Sequence, residues 1–206
     1  MKGVKIIARV ARKDLNSQFI HVMVQGVNKE YIFKNRDYVE SYLNIINENK
    51  IKFELTIIAY CVMNNHAHFL IYTKDIEQLG KFMHKVNLLY SNLYNQRENR
   101  CGVIFRNRYR AEPIKDMKYL INCIKYIHDN PVKAGMVLKC EDYKYLSYRA
   151  YLNNEGMTQT EIMKTMFGEK CNYSLLFKST YEKKFMDIED ENKNYEEYIA
   201  RRNKRI

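Results

Sequence analysis

Phe53–Met63 (FELTIIAYCVM), the pair Asn64-Asn65 and His66–Thr73 (HAHFLIYT) form the stretch whose reading decides the fold. The first segment is an almost unbroken apolar run, the pattern of a buried central strand. Asn-Asn is a turn signal. The second segment alternates in polarity, so the whole stretch predicts a hairpin near the middle of a sheet. Before it, Gln18–Val27 (QFIHVMVQGV) is rich in β-branched and aromatic residues and predicts a further strand. Between the two, Arg36–Lys50 spaces Val39, Leu43 and Ile46 as one face of a helix. After the hairpin, Asp75–Arg97 is helical, with Leu79, Phe82, Val86, Leu89 and Leu93 on one stripe. Gly102–Ile114 (GVIFRNRYRAEPI) reads as a loop and a last strand. Asp116 is placed to cap a helix running through Asn130, which Pro131 and Gly135 then break. The order strand, helix, strand, strand, helix, strand, helix predicts an α+β fold: an antiparallel sheet with helices packed on one face.

The chain has 206 residues and 46% hydrophobic residues, enough for one domain with its own core. The reading divides it into a domain over residues 1–150 and a small helical C-terminal extension over 151–206 with a partly disordered tail. No apolar run approaches the roughly 18 residues of a membrane span. The N-terminal apolar stretch is broken by Arg9 and Arg12 and is not read as a signal peptide. Five cysteines with no CxxC pair fit reduced thiols in a cytoplasmic protein, not a disulfide framework or zinc ribbon. The net charge is +11, and it is unevenly placed. Residues 1–37 carry eight Lys/Arg against three Asp/Glu, and residues 100–149 carry eleven against five; the other two stretches are balanced. Two basic blocks that meet in the fold would make a face suited to phosphates, whereas net charge alone fits any soluble basic protein.

Three local patterns carry chemistry. His66 and His68 flank Ala67 on a predicted strand, so both imidazoles point to one face and suit a divalent metal, although surface or core-edge histidines account for most such pairs. Tyr126 and Asn130 stand one turn apart on a predicted helix; taken singly, each is an ordinary helix residue. Arg106, Arg108 and Arg110 alternate, so on a strand all three face one side, with Phe105 and Tyr109 interleaved. Guanidinium forks match phosphate geometry and aromatic rings offer stacking surfaces, so this stretch is read as a phosphate contact rather than a solvated edge.

Taken together, HVMVQGVN (21–28), AYCVMNNHAHFLI (59–71), GVIFRNRYR (102–110) and YLINCIKYIHDNPVKAGMV (119–137) resemble the single-tyrosine HUH transposases, in the REP-associated branch of the IS200-like group. The resemblance covers roughly residues 19 to 151. It implies the HUH endonuclease fold, a ferredoxin-like or RRM-like antiparallel sheet. It implies that His66 and His68 bind Mg²⁺ or Mn²⁺, with Asn130 as third ligand through its amide oxygen, and that Tyr126 is the nucleophile. The reaction implied cleaves single-stranded DNA through a 5′-phosphotyrosine intermediate, frees a 3′-OH and can rejoin strands. The implied partner is single-stranded DNA, often folded in imperfect hairpins, with no membrane partner and with the protein a monomer or homodimer. Where relatives often carry Arg-Gly after the first strand, this chain has Gln25-Gly26, which leaves one phosphate contact unmatched. His21 also matches a family position and is read as structural. The base that deprotonates Tyr126 is not identified; His128, two positions on, falls on another helix face.

Two rival readings stand beside the transposase. One is a single-stranded DNA or RNA binding module that keeps the fold without cleavage; retention of His66, His68, Tyr126 and Asn130 together favours the enzyme. The other is a replication-initiator nickase, and the chain has no GxxxxGK[ST] phosphate loop to support it.

Overall fold

The computed structural model describes residues 17–153 and 156–168. Its elements are β1 (Phe19–Gln25), α1 (Arg36–Lys50), β2 (Thr56–Val62), β3 (His66–Tyr72), α2 (Ile76–Arg97), β4 (Arg110–Pro113), α3 (Met117–Lys133), α4 (Tyr148–Asn153) and α5 (Glu161–Phe167). The strands form one antiparallel sheet in the order β2-β3-β1-β4, so the fold is α+β as expected and β3 lies beside β1, but β2, read as central, is an edge strand, its apolar run covered instead by helices and by the segment after α3. The tail expected to be disordered lies outside the described residues, as do five of the eight Lys/Arg of the first basic block.

Alternation along the strands decides what each face buries. Ile20, Val22 and Val24 of β1 join Ile57 and Val62 of β2 and Ala67, Phe69 and Ile71 of β3 on one face. There they meet Tyr42 and Ile46 of α1 and Leu79, Phe82 and Val86 of α2. The opposite face presents Ile58, Ala59, Cys61 and Leu70 to Leu120, Cys123, Ile124 and Ile127 of α3. Helices therefore cover both faces, not one: β2 and β3 are apolar on both sides, and a single helical layer would leave half of that surface in water. A register shift between Ile57 and Ala59 lets β2 present two consecutive residues, Ile58 and Ala59, to the α3 side.

The stripe of α2 turns from the predicted Leu89 and Leu93 to Tyr90 and Tyr94, both fully buried. Their hydroxyls are satisfied, Tyr90 by the Ile32 carbonyl at 2.6 Å and Tyr94 by the Glu30 carboxylate at 3.0 Å. Asp116 caps α3 as predicted, its carboxylate accepting from Tyr119 N–H at 2.7 Å. The helix does not stop at Pro131 but runs to Lys133, because a proline near the end removes only one intrahelical donor. Gly135, with φ +67°, then turns the chain out of the helix.

Two close approaches fix the hairpin turn that carries the histidines. Met63 N–H donates to the His66 carbonyl at 2.8 Å, and Gly26 N–H to the Asn65 carbonyl at 2.8 Å. A Cβ on Gly26 would lie 2.3 Å from the Glu30 carbonyl oxygen, so only glycine lets the chain leave β1 beside that turn. The outer edge of β2 is covered by the segment after α3: Val62 N–H bonds to the Tyr145 carbonyl, Ser147 N–H to the Tyr60 carbonyl and Gln159 N–H to the Ile57 carbonyl. Met163 of α5 and Tyr151 of α4 are buried against the α3 side, Tyr151 donating to the Ile58 carbonyl at 2.5 Å.

Candidate active site

Residues paired directly across an antiparallel ladder share a face, so the registers locate the site on the α3 side of the sheet. His66 stands opposite Gln25, His68 opposite Met23, and Met23 opposite Arg110. One turn of α3 crosses this face and brings in Tyr126. The rings of His66 and His68 are edge-on with centroids 5.1 Å apart, and His68 meets Tyr126 edge-on at 5.3 Å. Asn130, one turn further along, donates its Nδ2 to the Tyr126 carbonyl at 2.8 Å, which fixes the amide plane and leaves Oδ1 directed elsewhere. His66, His68 and the Tyr126 ring thus share one face of the sheet, with Asn130 one helical turn beyond Tyr126.

The donors suit a divalent cation. His66 Nδ1 is engaged by the Asn65 side-chain oxygen at 2.6 Å, and His68 Nδ1 by His21 Nε2 at 3.0 Å. Among the described residues, Nε2 of both rings and Oδ1 of Asn130 carry no hydrogen bond, which is the arrangement of ligands oriented by outer partners. Burial pushes the His66 imidazole down to about 4, and His68 lies well below the usual histidine range for the same reason, reinforced by neighbouring His66, His21 and Lys133. Both rings are therefore neutral at physiological pH, the state in which imidazole ligates metal. Among the described residues no three His, Cys, Asp or Glu side chains group to hold a metal, so the donors on offer are two imidazoles and an amide oxygen.

Tyr126 is 1% exposed. Its ring also meets His21 edge-on at 5.8 Å, and the Lys133 ammonium sits 4.9 Å from the ring centroid. His128 faces away, bonded to Ser147 Oγ at 2.8 Å on the β2 side.

The arginine stretch differs from its expectation. β4 begins only at Arg110, so Arg106, Arg108 and Arg110 do not share one strand face. Arg106 bonds to Gln25 through both its backbone N–H and its guanidinium, the latter at 3.1 Å from Gln25 Oε1. Arg108 is exposed, and Arg110 shares the cross-strand row of Met23 and His68. Phe105 and Tyr109 are 5% and 3% exposed and belong to the α1–α2 core. They pack against apolar neighbours and as placed offer no ring to a base. The sequence reading missed two residues of the site: Lys133, and His21 as the partner of His68. Only the β1–β3 register shows that His21 is a diagonal neighbour of His68.

Three buried histidines and the half-buried His66 give a pH dependence of stability. Burial lowers His21 and His128 to about 3 and His66 to about 4, with His68 lowered as well. Below about pH 6.5 the unfolded chain binds protons that the folded chain refuses, so stability falls as pH falls. Urea denaturation without added metal is expected to show a loss of at most about 2 kcal/mol per histidine between pH 7 and pH 5.

No helix among the described residues is long and apolar enough to cross a membrane. Residues 14–130 match the model of the family described as IS200-like transposases. A Haemophilus influenzae protein, by name among the REP-associated tyrosine transposases, is 25% identical over 146 residues, covering 63% of this chain and 78% of that protein. The solved structure of a REP-associated tyrosine transposase bound to a REP hairpin shares the fold with a TM-score of 0.57, at 17% identity, over 69% of this chain and 83% of the other. The family match spans more than half of the chain and includes the histidine pair, Tyr126 and Asn130, and with it the chain belongs to the IS200-like transposase family.

Proposed function

We propose that this chain is a metal-dependent transposase of single-stranded DNA that cleaves and rejoins strands through Tyr126, at sites containing imperfect hairpins. The observation that carries the reading is the meeting of His66, His68 and the Tyr126 ring on one face of the sheet, with Asn130 one helical turn beyond Tyr126. His66, His68 and Asn130 would hold the ion. When bound, Mg²⁺ or Mn²⁺ supplies Lewis acidity to the scissile phosphate.

The Tyr126 oxygen attacks phosphorus, its bond to phosphorus forms, and the bond to the 3′ oxygen breaks. The phenol gives up its proton to a base or water, and the departing 3′ oxygen takes one up, leaving a 3′-OH and a 5′-phosphate ester on Tyr126. A second 3′-OH reverses the sequence and joins strands, releasing the tyrosine. Arg106, Arg108 and Arg110 are the proposed phosphate contacts. Arg110 lies two strands from His68, about 10 Å away at the ordinary strand spacing, so a single strand crossing β1 spans both. The hairpin carried by the structural relative supports this choice of substrate.

Burial of Tyr126 favours one alternative, a domain that binds single strands without cutting them. Cleavage of an end-labelled single-stranded hairpin from the flanks of its own gene separates the two. Cutting with Mn²⁺ or Mg²⁺, absent with a chelator and absent on the blunt duplex, is expected. Binding without cutting under every metal supports the alternative.

Arg108 is exposed, so its replacement tests the DNA face without disturbing the core. Arg108→Ala is expected to weaken hairpin binding and to reduce the slope of log affinity against log salt by about 1. An unchanged slope would remove Arg108 from the phosphate contacts.

A further inference from the structure

His21 takes no part in the reaction as described, yet it is fully buried and its Nε2 lies 3.0 Å from His68 Nδ1. A neutral imidazole carries one ring proton, so this bond has two forms. If His21 donates, His68 keeps its proton on Nε2 and has no lone pair there. If His68 donates, Nε2 of His68 is a bare acceptor able to ligate a cation. We infer that His21 is a positioning residue, accepting from His68 Nδ1–H and so holding His68 in its ligating tautomer, with Nε2 presented to the divalent ion. This rests on the metal-dependent reading above.

Three observations support it. His21 and His68 are diagonal neighbours on adjacent strands, with rings nearly parallel at 26° and centroids 5.2 Å apart, a relation set by the sheet and not by flexible chain. The pair is walled in by Leu70 on β3, Glu112 opposite His21 on β4, and the edge of Tyr126. The remaining nitrogen of His21, Nδ1, is buried without a hydrogen-bond partner. A histidine kept only for packing would do better as leucine, which buries no unsatisfied nitrogen. Among the described residues, the one polar contact His21 makes is to His68.

The test uses the full-length chain and Mn²⁺ binding measured by electron paramagnetic resonance, without DNA turnover. His21→Leu is expected to weaken Mn²⁺ binding about 10- to 100-fold, whereas His21→Gln, whose side-chain oxygen accepts the same bond, stays within about three-fold of wild type. Metal-free hairpin binding is expected to be unchanged in both. Should His21→Leu bind Mn²⁺ like wild type while His66→Ala loses it, the role of His21 is overturned and the metal site stands. Should wild type and His66→Ala bind Mn²⁺ alike, the metal reading fails and takes this inference with it. If His21→Leu does not fold, nitrogen NMR of the wild type saturated with Mg²⁺ decides. A proton on His68 Nδ1 is expected, and a proton on Nε2 overturns the assignment.

Discussion

Tyr126→Phe is expected to abolish strand cleavage, a loss of at least about 10⁴-fold, while hairpin affinity changes by less than about two-fold. The substitution removes one oxygen and nothing else. The phenyl ring still fills the space against His68, His21 and the Lys133 ammonium. Folding is therefore expected to cost no more than about 1 kcal/mol, the scale of a single hydrogen bond. Thermal melting, filter binding and a cleavage gel on the same preparation check the three statements. A variant that still cuts would place the nucleophile elsewhere, and with 18 tyrosines in the chain that outcome has real candidates.

His66→Ala is expected to reduce Mn²⁺-dependent cleavage about 10³-fold, the rate equivalent of the several kcal/mol that a bound cation contributes at a developing phosphate charge. His66 is the better probe of the two histidines. It is half-buried at the start of β3, and its one side-chain bond is to the neighbouring Asn65. His68 is buried and bonded to His21, so its removal would mix ligand loss with a packing defect. Cleavage rates titrated with Mn²⁺ check the prediction: the variant needs far more metal or never recovers, and hairpin binding without metal is retained. Full activity at ordinary Mn²⁺ would leave His66 without a role in the reaction.

Local pattern carried most of the fold. The apolar run of β2, the Asn-Asn turn and the alternation of β3 are short-range signals, and they produced the hairpin with His66 and His68 on one face. The i, i+4 relation of Tyr126 and Asn130 is likewise local, and the helix delivered it. Tertiary relations were not legible. That α3 covers the second face depends on β2 and β3 being apolar on both sides, which periodicity alone does not distinguish from a single buried layer. The arginine stretch alternates like a strand, but the ladder with β1 pairs only four residues, and Phe105 and Tyr109 are drawn into the core instead. His21 sits 47 positions from His68, and no spacing rule joins them; the register of β1 on β3 does.

Strand transfer through Tyr126 requires a covalent bond between its oxygen and DNA. Mass spectrometry of the protein after reaction with a single-stranded hairpin from its gene's flanks in Mn²⁺, followed by nuclease and protease digestion, detects that bond. A nucleotide joined through its 5′ phosphate to the peptide containing Tyr126 is expected, absent when His66 is alanine. Cleaved DNA with the adduct on another residue, or bound DNA with no adduct under any metal, would contradict it.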